Sequence, residues 1–233
     1  MSKPPSRNRG ASADSPDPAA EPNVPTRRRA SARKSARRRE KSTSAPSYPH
    51  SLAGHFLIAM PAMNDPNFER GITFICQHNE EGAMGLVVNR LSDFKLGDVL
   101  QQMHMPCERA EVAAVPVLVG GPVQPERGFV LHTSSGREWD SSYRVSDALS
   151  VTTSRDILAA MADGGGPKRA LVTLGYAGWG AGQLEYELRE NAWLTVQADD
   201  RILFDTALEQ RWSAAVALVG IDPANLASYS GRA

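Results

Sequence analysis

The chain's 233 residues carry 26 Lys/Arg and 26 Asp/Glu, a formal net charge of zero. That balance is the sum of two opposed segments: residues 1–50 hold 12 basic and 4 acidic side chains, about +8, and residues 51–233 hold 14 and 22, about −8. An acidic body argues against direct phosphate contact by that body, two distant cysteines (Cys76, Cys107) argue against a disulfide scaffold or zinc knuckle, and no stretch reaches the roughly 18 apolar residues of a spanning helix.

Residues 1–50 contain eight prolines and one aromatic, Tyr48. Such a segment does not offset the roughly 1–2 kcal/mol per residue that ordering costs, so it is expected to be a disordered basic tail rich in Pro, Ser and Arg. The bland expectation is a solvated, solubilising tail or an over-long predicted start. Its runs at Arg27–Arg29 and Arg33–Arg39 nevertheless offer contacts to nucleic acid, anionic lipid or the acidic body. The tail has neither the apolar core of a secretory signal nor the amphipathic face of a transit peptide, so a soluble, cytoplasmic protein is expected.

From Ser51 onward, short runs of Val, Ile, Leu and Phe alternate with Gly, Pro and Asp, the mark of strands joined by turns. Strands are predicted at Gly54–Met60, Gly71–His78, Met84–Asn89, Val117–Val119, Gly128–His132, Leu149–Thr152, Ala170–Tyr176 and Trp193–Gln197. Glu80-Glu81-Gly82 predicts a hairpin pairing the second and third antiparallel. Helices are predicted at Phe94–Met103, at Arg155–Met161 capped by Ser154 and stopped by Gly164–Gly166, at Gln183–Asn191, and at Thr206–Val219 opened by Asp205 and closed by Gly220. Helices scattered among strands, rather than strict alternation, predict a single α+β domain over residues 51–233.

Gly175-Tyr176-Ala177-Gly178-Trp179-Gly180-Ala181-Gly182-Gln183-Leu184-Glu185-Tyr186-Glu187 reads as a glycine-dense turn from a strand into a helix. A phosphate cradle is the first thought for that arrangement, but the third glycine of a dinucleotide fingerprint falls on Gln183 or Glu185. Glu185 and Glu187 would also repel an anion. The five histidines show no metal spacing; His78 and His132 end apolar strands, where a hydrogen-bonded structural role is the simpler expectation and acid/base work the sharper one. Cys76 lies within an apolar run and is expected to be a buried, inert thiol. Asn89-Arg90 sits at a strand exit, where its guanidinium suits a carboxylate or phosphate or an intramolecular partner. Pro61 to Phe68 and Gly120-Gly121-Pro122-Val123 read as rigid turns. No cofactor and no metal are expected.

These blocks together resemble the YqgE/AlgH family of bacterial proteins. The resemblance rests on Ser51–Gly54, Ile58–Phe68, Gly82–Arg90, Gly120–Val123, Arg127–His132, Gly175–Glu187 with Trp193-Leu194, Gly220–Pro223 and Ser230–Ala233. It implies a compact body with a barrel-like, split sheet, and no catalytic residues. One branch bears the name of an alginate and virulence regulator, which implies transcriptional regulation by label only. A non-enzymatic regulatory or accessory protein is therefore expected, acting through an unknown protein or small-molecule partner held by Asp65, Arg90, Gly121, His132, Trp179 and Gln183 at the strand ends. Two alternatives compete: an enzyme using His78 or His132 beside Asp65 or Glu187, and nonspecific nucleic-acid association through the basic tail.

Overall fold

Continuous apolar runs such as Phe56-Leu57-Ile58-Ala59 predict strands covered on both faces, because successive side chains point to opposite sides of a sheet. A computed structural model describing residues 51–134, 136–223 and Leu226 has that arrangement. The tail expected over residues 1–50 and the block Ser230–Ala233 lie outside the described residues. In chain order come β1 (His55–Ala59), β2 (Ile72–Asn79), β3 (Gly82–Val87), β4 (Leu91–Lys95), α1 (Leu96–Gln102), α2 (Ala110–Ala113), β5 (Pro116–Val119) and β6 (Val123–Thr133). They are followed by β7 (Ser142–Arg144), β8 (Leu149–Thr152), α3 (Arg155–Ala162), β9 (Ala170–Gly180), α4 (Gln183–Arg189), β10 (Trp193–Gln197), α5 (Asp200–Phe204) and α6 (Leu208–Leu218).

The strands form one curled half-barrel in the order β10-β1-β2-β3-β9-β6-β8-β7, antiparallel along this path, and β2 and β3 make the expected hairpin. Phe56, Ile58 and Phe74 pack with α5 and α6 on one side, through Leu203 and Val216. Leu57, Ala59 and Ile75 point the other way, toward Leu184 of α4. Further along that second side, α1 and α3 cover Val117, Val130 and Val172 with Leu100 and Ile157.

β9 is the spine, and one of its edges is shared. Its first half pairs in parallel with β5 through Val172–Leu174, while its second half pairs antiparallel with β3 through Ala177–Gly180. β6 occupies the opposite edge. Only Gly120, Gly121 and Pro122 connect β5 to β6, so the chain must pass over the β9 backbone to reach its other edge. It does so against Gly175 and Tyr176. A Cβ on Gly175 would collide with the Gly121 carbonyl, one on Gly120 with the Gly175 carbonyl, and one on Gly121 with the Tyr176 peptide. Gly121 and Gly175 also have φ of +151° and +72°. Gly120-Gly121 is thus a backbone-on-backbone crossing as well as a turn.

Several boundaries differ from the predicted ones. β9 runs through Gly178 and Gly180, so the expected glycine-dense turn is mostly strand, and only Ala181-Gly182 connects it to α4. β6 begins at Val123 rather than Gly128, with an irregular pairing register between those two residues. Asp205 ends α5 instead of opening α6, whose N-cap is Ala207. β4, β7, α2 and α5 were not predicted. No helix of the described residues is long and apolar enough to cross a membrane.

Candidate functional site

Trp179 points from β9 into the core beneath α4 and is 6% exposed. Its indole N–H donates to Glu187 Oε2 at 2.9 Å, and the indole of Trp193 donates to the same oxygen at 2.8 Å. The two rings meet edge to face with centroids 6.0 Å apart, and Phe68 closes the cluster at 5.4 Å from Trp193. Gln183 Nε2 donates to the other Glu187 oxygen, while its Oε1 accepts from the Gly180 amide. Trp179, Gln183 and Glu187, all singled out from sequence, therefore come together in one network that spends its polar atoms internally.

Asp65 and Arg90 both serve the loop between β1 and β2, each through its own partners. Arg90 donates to the carbonyls of Pro66 and Glu69 at 2.6 and 2.8 Å. Asp65 accepts from the amide of Asn67 in a local turn. Asn89 accepts from the Ile72 amide and donates to the Arg70 carbonyl, holding Arg70 at φ +50°. The Asn89-Arg90 pair thus pins the loop between β1 and β2, and Arg90's partners are carbonyls rather than a carboxylate.

His78 makes a 2.8 Å contact with Glu185 rather than with Asp65 or Glu187. The Leu52 amide donates to its Nδ1, so the ring proton sits on Nε2 and is given to Glu185. His132, 2% exposed, has Nδ1 at 3.1 Å from the Thr133 carbonyl, which only accepts. Its Nε2 therefore receives the hydroxyl of Thr152, which in turn bonds Ser142 at 2.7 Å. Burial lowers the His132 pKa below the ordinary 6.5. The carboxylates proposed as partners for an acid/base histidine are thus occupied elsewhere: Asp65 in its turn and Glu187 between two indoles. Burial pushes the Cys76 thiol up, which suits the inert role expected of it.

A cavity of about 710 Å³ lies in the groove where β2 and β3 face β6, β7 and β8 across the β9 spine. Its walls include Met84, Phe129, Tyr176 and Tyr143, with Arg127 at the rim; Phe129 and Tyr176 stack edge to face at 5.7 Å. The Arg127 guanidinium lies 5.5 Å from the Phe129 ring centre. Trp179 is the one expected site residue among its lining; Asp65, Arg90, Gly121, His132 and Gln183 are not. His132 lines a separate, polar cup with Arg137, Arg144, Glu138 and Asp140. Sequence reasoning passed over Phe129, Tyr176 and Arg127, although their signal was present: Arg127 and Phe129 alternate along one strand, and Tyr176 lies in the glycine motif. Among the described residues, no group of three His, Cys, Asp or Glu side chains is placed to hold a metal.

A family model described as AlgH-like matches residues 56–224. A protein of Xanthomonas campestris pv. campestris named only as a UPF0301 protein is 56% identical over 185 residues, covering 79% of this chain and 98% of the relative. The solution structure of the AlgH protein from Pseudomonas aeruginosa is similar with a TM-score of 0.67 and 48% identity, covering 81% of this chain and all of that one. A crystal structure of a Corynebacterium diphtheriae protein, at 22% identity and a TM-score of 0.58 over 76% of this chain and 90% of that one, shares the fold. The spine crossing, the indole-carboxylate network and the pinned loop are therefore features of a chain that belongs to the AlgH-like, UPF0301 family.

Proposed function

We propose that the protein is a non-enzymatic regulatory or accessory protein, working in the cytoplasm, that acts by holding a small ligand or a partner's side chain in the half-barrel groove. The observation that carries this is a contrast. The histidines, carboxylates and amides at the strand ends bond to their own chain, whereas the 710 Å³ groove presents aromatic rings and the Arg127 guanidinium. Cavities of roughly 300–1,000 Å³ with apolar walls and a few polar groups are the usual form of ligand sites. Trp179 enters this proposal as part of the wall; Asp65, Arg90, Gly121, His132 and Gln183 enter as the frame that fixes the strands and loops around it. The regulator label borne by one branch of the family suits a role in transcription exercised through that partner.

The test is capture from a bacterial extract by the tagged full chain, with bound proteins and metabolites read by mass spectrometry. Gly178 lies on the groove floor, and a Cβ there would stand 3.2 Å from the Tyr176 ring, so Gly178→Leu fills the groove. We expect species retained by the wild type to be lost with Gly178→Leu and Tyr176→Ala, at unchanged circular dichroism. An identical captured set for all three proteins would overturn the proposal.

A further inference from the structure

β2 does not keep its alternation to the end. Phe74 packs toward α5 and α6 and Ile75 toward α4, so a regular strand would turn Gln77 to the α4 side as well. Instead the pairing register with β3 shifts between Ile75 and Gln77, and Cys76 and Gln77 both line the groove. A bulge of this kind re-aims a side chain. His78 then faces α4 and bonds Glu185, and Asn79 returns to the groove. Gln77 pairs across the hairpin with Met84, and Met84 pairs with Gly178 of β9, so the three share one face. Two strand spacings, about 9.5 Å, separate the backbones of Gln77 and Gly178. The Tyr176 ring stands against Gly178 at the far end of that row.

The polar groups along the row are neutral and unspent. Among the described residues, the half-buried Gln77 carboxamide has no hydrogen-bond partner, and neither do the hydroxyls of Tyr143 and Tyr176. The lining holds one cation, Arg127, and one carboxylate, Glu81, which offset each other, and Arg127 already lies over Phe129 and bonds Gln124. Net charge therefore does not select the ligand; ring shape and hydrogen bonding do. A free carboxamide presents an acceptor beside a donor, the pair that matches the amino group and N7 of an adenine. Aromatic walls favour a flat ring by stacking.

We infer that the groove binds an aminopurine nucleoside, its adenine ring lying over Met84 and Gly178 between Tyr176 and the carboxamide of Gln77. This rests on the reading of the groove as a ligand site and names the class of ligand it takes.

The experiment is isothermal titration of the full chain with adenosine and with 7-deazaadenosine, in which a C–H replaces N7. The wild type is expected to bind adenosine at least fivefold more tightly than the deaza compound. Gln77→Leu should weaken adenosine binding fivefold or more and should bind the two compounds alike, at unchanged circular dichroism. Gly178→Leu should abolish both, and Gln77→Leu decides the matter if Gly178→Leu does not fold. Absence of adenosine binding by the wild type, equal affinity of the wild type for the two compounds, or a preference for adenosine that survives in Gln77→Leu overturns the inference. Any of these results beside a captured set that still depends on Gly178 removes the adenine assignment alone, whereas a captured set indifferent to Gly178→Leu removes the groove reading with it.

Discussion

Glu187 shows how a side chain that looks catalytic in sequence is consumed by the fold. One of its oxygens accepts from two indoles that are almost fully buried, Trp179 and Trp193. Glu187→Leu would strand both N–H groups, and an unsatisfied buried donor costs about 1–3 kcal/mol. A loss of about 2–6 kcal/mol in urea unfolding is expected from the two together, with a shifted tryptophan emission spectrum. His132 makes a second prediction at this scale, where the sign follows from burial. Its folded pKa lies below the ordinary 6.5, so the unfolded chain takes up the proton first as the pH falls. The stability supplied by the neutral ring bonded to Thr152 is therefore complete above that value. It declines as the pH drops through 6.5 and levels only below the folded pKa. The other charges lining the cup, Arg137, Arg144, Glu138 and Asp140, are shared by a His132→Gln variant. Unfolding free energies of the two proteins should thus converge between pH 8 and pH 5, and a gap that stays constant would exclude His132 as the source.

At the scale of elements, the β5-to-β6 crossing explains glycines that sequence alone assigned to turns. Gly175 and Gly182 share almost the same left-handed conformation, φ +72° and +73°, but only Gly175 is packed against another backbone. Gly182→Ala should lose about 1–2 kcal/mol, the ordinary penalty for an L-residue there. Gly175→Ala adds a clash with the Gly121 carbonyl and should lose more than about 4 kcal/mol, or fail to fold. Parallel urea melts check the contrast; equal losses would mean the crossing is soft. Strand runs such as Leu149–Thr152 and Trp193–Gln197 were legible to the residue because their apolar patterns mark burial directly. β4 and β7 were not, since Leu-Ser-Asp-Phe-Lys and Ser-Tyr-Arg are largely exposed and each pairs with a single neighbour. α5 was hidden because its five residues carry too little periodicity, and Asp205 was read as the start of the next helix rather than the end of this one. The glycines of β9 were ambiguous for another reason: a close backbone approach and a ligand cradle demand the same residue, and only the pairing partners distinguish them. The groove was illegible because its walls come from strands far apart in the chain. Asn89-Arg90 holds a further expectation for an element: Arg90→Ala, which releases the Pro66 and Glu69 carbonyls, should speed amide exchange across residues 61–71 while leaving β2 protected. Unchanged exchange would show that Asn89 alone secures the loop.

For the molecule as a whole, the division of charge is the property that a net charge of zero conceals. The 12 basic residues of positions 1–50 precede a body with 22 acidic and 14 basic residues, and the AlgH-like match begins only at residue 56. We propose that any affinity of this protein for nucleic acid resides in residues 1–50, since the net negative charge of residues 51–233 disfavours phosphate. Binding of that kind comes from counterion release and reads no sequence, with log Kobs falling by about 0.9 per tenfold rise in salt for each phosphate neutralised. The full chain is expected to retard duplex DNA of unrelated sequences alike in low salt and to release it as salt approaches about 0.2 M. A body starting at Ser51 should bind none of them, and its melting temperature should match that of the full chain if the tail makes no stabilising contact with it. DNA binding retained by the truncated body would place the contact on the half-barrel instead, and the groove rim around Arg127 would then become the surface to mutate.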